Sequence, residues 1–142
     1  FVREIYGLLR ALECLIYESA LPYIDDELID GLKAVNEEIG LIAAGQTLST
    51  GYIDLNTKFH GLIMSRGGNS KAIELYRYYH MLISALRKSY MPSTARVQAV
   101  YSEHAELIAA LENKDTLAIK AAVDKHVGHA MENFLKVYAR QI

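Results

Sequence analysis

Apolar residues recur three and four apart along almost the whole chain, and proline interrupts them only at Pro22 and Pro92. A half-buried strand would alternate with a period of two, and no stretch does so clearly. The pattern therefore restricts the chain to helices that stop at prolines and glycines. A first helix is predicted from Val2 to Ser19, with Ile5, Leu8, Leu12, Leu15 and Ile16 on its apolar face. A second begins at Asp25 or Asp26, either of which can cap it, and fades at Gly45. The third starts after Ser49 and stops at Gly67-Gly68. Asn69 reopens the chain, a fourth helix carries Ile73 to about Met91, and Pro92-Ser93 breaks it. Ser93 or Thr94 caps a fifth that continues to Glu112. Asn113-Lys114-Asp115 is a tight turn, and Asp115 caps a sixth helix that extends almost to Ile142. Short connections between six helices make antiparallel neighbours, so the fold class is an all-α bundle.

A length of 142 residues fits one domain with an ordinary core. With 51% hydrophobic and 23% charged residues, the chain reads as globular and not disordered. Its formal charge is −2, and Lys and Arg are scattered singly or in short pairs such as Arg87-Lys88. That distribution lacks the basic footprint of a nucleic-acid reader. One cysteine, Cys14, allows no internal disulfide and fits a reducing, cytoplasmic setting. No apolar run approaches the roughly 20 residues of a membrane span, and no signal peptide opens the chain. The chain begins with Phe1, already inside a helical pattern, which points to a fragment whose N-terminal part is missing.

Three histidines occupy positions where a helical protein normally puts leucine. The third helix presents Ile53, Asn56, His60, Ile63 and Met64 on one face. The fifth presents Val97, Val100, Tyr101, His104, Leu107, Ile108 and Leu111, and the sixth Ile119, Val123, His126, Ala130 and Phe134. Helical spacing turns His60, His104 and His126 toward the interior, with Asn56 one turn before His60. A core histidine needs a partner, since a buried polar group without one costs on the order of 1–3 kcal/mol. Spacing leaves two answers open: separate hydrogen bonds to neighbours, or one shared divalent metal ion with Asn56 adding an oxygen.

Other architectures fit badly. There is no Glu-x-x-His pair for a di-iron bundle, no HExxH, no cysteine cluster and no phosphate-cradling glycine loop. His129 shares its face with Lys125, Glu132 and Lys136, a solvated setting, whereas His80 lies among Tyr76, Ile83, Ser84 and Arg87 and can face a ligand cavity. Glu103 would be the neighbouring base of a metal-dependent enzyme, but on a helix it points about 100° away from His104.

The run Asn56-Thr57-Lys58-Phe59-His60, followed by Gly68-Asn69, resembles a D/N-x-x-F-H…G-N signature. Glu103-His104 with Ile108, Ala110 and Leu111, then Asp115, Ala118, Ala122 and His126, is similar to an E-H-x-x-[IL]-x-x-A-[IL]…D…A…H pattern. Leu9-Arg10-Ala11-Leu12-Glu13 looks like an R-x-L-E opening. In this order the motifs resemble the FCD domain, the C-terminal effector-binding domain of FadR-type GntR transcription regulators. The resemblance covers essentially residues 1–142 and implies an effector-binding and dimerisation domain, an antiparallel bundle enclosing a ligand and metal cavity. It also implies homodimers, and operator DNA bound only through an N-terminal winged helix-turn-helix domain outside this chain.

Many members of that family hold a divalent metal by an Asp and three His, positions matched here by Asn56, His60, His104 and His126. Zinc is the expected ion, with nickel or iron as alternatives. The departure is Asn56, an amide where the metal-binding members have a carboxylate, which removes one negative charge from the site. Family effectors are typically small carboxylates, which require a cation or an open metal position facing a cavity. Arg10 matches the opening motif, and Arg87, Arg96 and His80 are the further effector-binding candidates. The expected function is ligand sensing and not catalysis. Its rivals are a metal-dependent helical-bundle enzyme and a metal-free structural dimerisation domain.

Overall fold

The computed structural model describes residues 1–87 and 90–140. Lys88 and the expected run of the last helix toward Ile142 lie outside the described residues. Six helices follow one another: α1 (Val2–Ala20), α2 (Asp26–Ala43), α3 (Tyr52–Met64), α4 (Ser70–Leu86), α5 (Thr94–Glu112) and α6 (Thr116–Arg140). Single 3-10 turns at Leu21–Tyr23 and Ser49–Gly51 lead into α2 and α3, and no strand occurs among the described residues.

Four helices begin where a short polar side chain takes up an orphan backbone N–H, three of them at caps the sequence predicts and the fourth at Asn69. Asp25 accepts from Leu28 N–H at 2.9 Å, Asn69 from Ala72 at 3.0 Å, Ser93 from Arg96 at 3.1 Å and Asp115 from Ala118 at 3.1 Å. Past the end of α2, Gly45 sits at φ 73, a left-handed conformation that glycine adopts without steric cost. α1 packs against α4 and α6, α2 against α3 and α5, and α5 against α6. The main core gathers Ile16, Tyr17, Leu32, Phe59, Ile63, Leu107, Leu111 and Ile119, and a smaller cluster of Ile39, Val97 and Val100 closes one end.

Two expectations need correction. The fourth helix ends at Leu86, not near Met91: the Arg87 N–H bonds back to the Ile83 and Ser84 carbonyls and its ψ of 17 takes the chain out of the helix. Pro92 restricts only the residue just before it, so it could not mark this earlier stop. On α1 the buried face is Ile5, Tyr6, Leu9, Glu13, Ile16 and Tyr17, while Leu8 and Leu15 are 43% and 46% exposed. The helix is rotated so that Glu13 and Tyr17 meet partners in the interior, an outcome that counting apolar residues does not reveal.

Candidate metal centre

The three histidines of the apolar stripes meet. His60 from α3, His104 from α5 and His126 from α6 are all buried, and one ring nitrogen of each lies within 4.8 Å of the others. The Nε2 atoms of His60 and His126 are 3.3 Å apart, close to the ~3.4 Å that separates two nitrogens bound about 2.1 Å from one tetrahedral zinc. Phe59 stacks flat on the His104 ring, centroids 3.8 Å apart and planes 2° from parallel, which fixes that imidazole's tilt.

The outward nitrogens determine the inward ones. His126 Nδ1 donates to Glu103 Oε1 at 2.7 Å. His104 Nδ1 donates to Asn36 Oδ1 at 3.2 Å, and the Asn36 amide is oriented by its own donation to the Tyr101 carbonyl at 3.0 Å. His60 Nδ1 donates to Tyr17 Oη at 2.6 Å, and the Tyr17 hydroxyl donates on to Glu13 Oε1 at 2.8 Å. That carboxylate oxygen is also 3.2 Å from His60 Nδ1. With every Nδ1 carrying the proton, the lone pairs sit on Nε2 and face one another. This is how metal-binding imidazoles are commonly held: an outer acceptor sets tautomer and ring orientation.

Burial and charge reinforce the arrangement. Glu103 is buried; burial alone would raise its pKa, but hydrogen bonds from His126 and His129 and the Arg96 charge hold it down at about 2. Burial, together with the neighbouring His126, His60 and Arg96, pushes His104 well below the usual imidazole range. Burial also lowers His126, with the Glu103 bond pulling the other way. Glu13 stays below the ordinary carboxylate value despite burial, because His60 and Tyr17 hydrogen-bond to it. His104 and His126 are thereby held in the neutral form, with basic nitrogens available to a cation.

The structure also tests whether a metal fits. Among the described residues, His104 Nε2 and Asn56 Oδ1 are fully buried and have no hydrogen-bond partner. Leaving either group unsatisfied costs about 1–3 kcal/mol. His104 Nε2 belongs to the histidine cluster, and Asn56 lines the same cavity as His60 and His126. Three imidazole nitrogens and one amide oxygen form an acceptable donor set for zinc.

Two adjoining cavities of about 60 and 80 Å³ open beside these ligands and share Asn56, His80, Arg87 and His126 in their walls. Arg96 lines the larger one while bonded to Glu103 at 3.2 Å. Of the effector-binding candidates, His80, Arg87 and Arg96 thus face the cavity. Arg10 does not line either: it lies beside Asp124 at 3.7 Å, on the α1–α6 surface. His129 is 46% exposed, as its charged neighbours indicate, yet its Nδ1 is bonded to Glu103 Oε2 at 2.7 Å.

Sequence reasoning missed Glu13 and Asn36 and did not see what Glu103 holds. The signal was present: Asn36 falls between Leu32, Val35 and Ile39 on the buried face of α2, and Glu103 between Val100 and Leu107 on α5. Polar residues at core-face positions, facing core histidines, are candidate outer partners.

The family model for the FCD domain matches residues 4–129. Over 136 residues the chain is 28% identical to a protein of Bacillus subtilis (strain 168) described as the uncharacterized HTH-type transcriptional regulator YdhC. The match covers 96% of this chain, which spans 61% of the length of that curated relative.

Proposed function

The chain belongs to the FCD domain family, and on that premise we propose that it is the ligand-sensing domain of a transcription regulator, taking up a small carboxylate at a divalent metal. One observation carries the reading: His60, His104 and His126 each commit Nδ1 to an acceptor, so that three Nε2 lone pairs converge in a buried site. Lone pairs facing one another repel, and a shared cation removes that repulsion. Asn56 Oδ1, buried without a partner, is the fourth donor. Zinc is the ion of choice for this set, and when bound it supplies a Lewis-acidic open position to a carboxylate oxygen.

The protein's own side chains supply the rest of the recognition. Arg87 lines both cavities and makes no ion pair among the described residues, so it is available for charge-assisted hydrogen bonds to an anion. Arg96 is tied to Glu103 and adds positive field more than a free donor. His80, held neutral by burial with a pKa down at about 4, offers a ring edge to a hydroxyl or carbonyl. Beside these two small cavities a third of about 310 Å³, lined by Asn56, His60, Arg77 and His80, adjoins the same donors, so the space reaches the lower end of the ~300–1,000 Å³ typical of ligand pockets.

The signalling half of the proposal concerns the whole protein. A separate helix-turn-helix domain, of the kind named for the Bacillus subtilis relative, would bind operator DNA in the cytoplasm. A homodimer is supported by apolar side chains left exposed on the packed pair α1 and α4: Leu8, Leu15, Leu75 and Tyr78. Effector binding between α3, α4 and α6 would favour one arrangement of these helices, and the dimer would pass that preference to the DNA-binding domains. No helix among the described residues is long and apolar enough to cross a membrane.

Elemental analysis of protein purified without a metal-affinity tag, followed by a thermal-shift screen of small carboxylates with and without chelator, tests the reading. Bound metal near one equivalent, and stabilisation by a carboxylate that chelator abolishes, are expected. Metal-free protein that no carboxylate stabilises, before or after zinc addition, would overturn it.

A further inference from the structure

Glu13 is buried in α1, and its only ionic partner among the described residues is His60, 3.2 Å from Oε1. The other carboxylate near the centre, Glu103, differs in having a standing cation, the Arg96 guanidinium, at 3.2 Å. Glu13 Oε1 accepts from the Tyr17 hydroxyl and lies 3.2 Å from His60 Nδ1, the nitrogen whose proton Tyr17 takes. A buried carboxylate without a positive partner is strongly unfavourable. Tyr17 supplies a hydroxyl and no charge, and a His60 that ligates a metal through Nε2 does so as a neutral imidazole. The donor set itself, three imidazoles and the Asn56 amide, carries no negative charge with which to balance a dication.

These two imbalances are complementary. We propose that Glu13 is the counter-charge of the metal site, acting on His60 from behind the ligands, so that the centre tolerates an amide at position 56. The inference rests on the metal reading above and adds a positioning residue to it. Glu13 lines the smaller cavity together with Asn56, His60 and His126, which places its charge on the same low-dielectric space as the donors. A carboxylate at position 56 and one at position 13 should therefore be interchangeable sources of charge, although one would touch the ion and the other not.

Zinc affinity of the full chain, measured by competition with a chromophoric chelator, tests this without reference to any effector. Glu13→Gln keeps size and shape and removes the charge, and a loss of about 10–100-fold is expected, the range for outer partners of metal ligands. Asn56→Asp in the Glu13→Gln background is expected to recover most of that loss. A Glu13→Gln protein that binds zinc like the wild type would overturn the proposal. So would a weakened protein that Asn56→Asp fails to rescue, since Glu13 would then act through packing alone. Tyr17→Phe carries the test should Glu13→Gln not fold, because it removes the hydroxyl and leaves the Glu13 carboxylate, 3.2 Å from His60 Nδ1, as the acceptor of that ring's proton. Affinity within a few-fold of wild type is expected there, and a loss as large as 10–100-fold would overturn the proposal. A wild-type chain that takes up no zinc at all would overturn the metal reading itself, a separate outcome.

Discussion

The carboxylate of Glu103 lies 2.7 Å from Nδ1 of His126, so a side chain of α5 sets the tautomer of a ring on α6. The same carboxylate takes the Arg96 guanidinium, whose side chain is only 9% exposed. Removing it leaves a buried guanidinium and a buried imidazole donor without their acceptor. Glu103→Ala is expected to lower stability by about 3–5 kcal/mol, the cost of breaking a buried ion pair from one side. Glu103→Gln keeps an acceptor oxygen and should lose visibly less. Urea denaturation of metal-free protein measures both, and an alanine variant within about 0.5 kcal/mol of wild type would refute this account of the α5–α6 contact.

Acid should weaken the fold in two stages. Burial first, then the Arg87 charge, lowers the His80 pKa from 6.5 to about 4. Burial lowers His104 and His126 in the same direction. Each of these groups binds its proton more readily unfolded than folded, so stability is full above pH 6.5 and declines as the pH falls below it. Glu103, held at about 2 against an ordinary 4.5, adds a loss between those values. The urea midpoint should thus be level above neutrality and fall continuously in acid. His80→Gln should flatten the slope between pH 6.5 and 4 by up to about one proton. An unchanged slope would mean that His80 titrates normally in the folded chain.

Much of this was legible in the sequence, and the omissions have a common cause. Helical spacing located six helices and turned His60, His104 and His126 inward, because each lies on a stripe whose apolar neighbours, three and four residues away, keep the phase clear. Caps at Asp25, Asn69, Ser93 and Asp115 were readable for a local reason, as the acceptor and its N–H are three residues apart. Glu13 and Asn36 were not readable, since their partners lie 47 and 68 residues away in sequence, at His60 and His104. The rotation of α1 escaped for the same reason: Leu8 and Leu15 look like core until Glu13 and Tyr17 have somewhere to go. Arg10 carries a family motif, but only packing reveals that it faces Asp124 and that Arg87 faces the cavity.

That contrast between the two arginines is testable. Arg87 lines both cavities, whereas Arg10 is 41% exposed and lies at the surface beside Asp124. A charge-assisted hydrogen bond contributes about 1.5–3 kcal/mol, or roughly 10–150-fold in affinity. Arg87→Gln should weaken binding of whichever carboxylate the thermal-shift screen identifies by that factor in calorimetric titration, with metal content unchanged. Arg10→Gln should bind it within about two-fold of wild type, since a surface pair contributes little. Equal losses in both variants would move the carboxylate away from Arg87.

Gly40 decides how closely α2 approaches α5. A Cβ built at this position would stand 2.7 Å from Cε2 of Tyr101, inside any contact that real side chains make. Tyr101 is not free to swing away without loss, because its hydroxyl donates to Glu37 at 3.2 Å and its carbonyl accepts from Asn36 at 3.0 Å. Alanine in a helix interior normally stabilises by about 1 kcal/mol relative to glycine, so helix propensity and sterics oppose each other here. Overpacking of this kind costs about 1–3 kcal/mol, and Gly40→Ala is therefore expected to be destabilising in urea denaturation. Asn36, one turn earlier on α2, holds His104, so the same variant should also weaken zinc binding. Adding Tyr101→Leu should recover both losses, a positive coupling between neighbours in a double-mutant cycle. A Gly40→Ala protein more stable than wild type would show that the Tyr101 ring yields easily and that this contact does not set the spacing of the two helices.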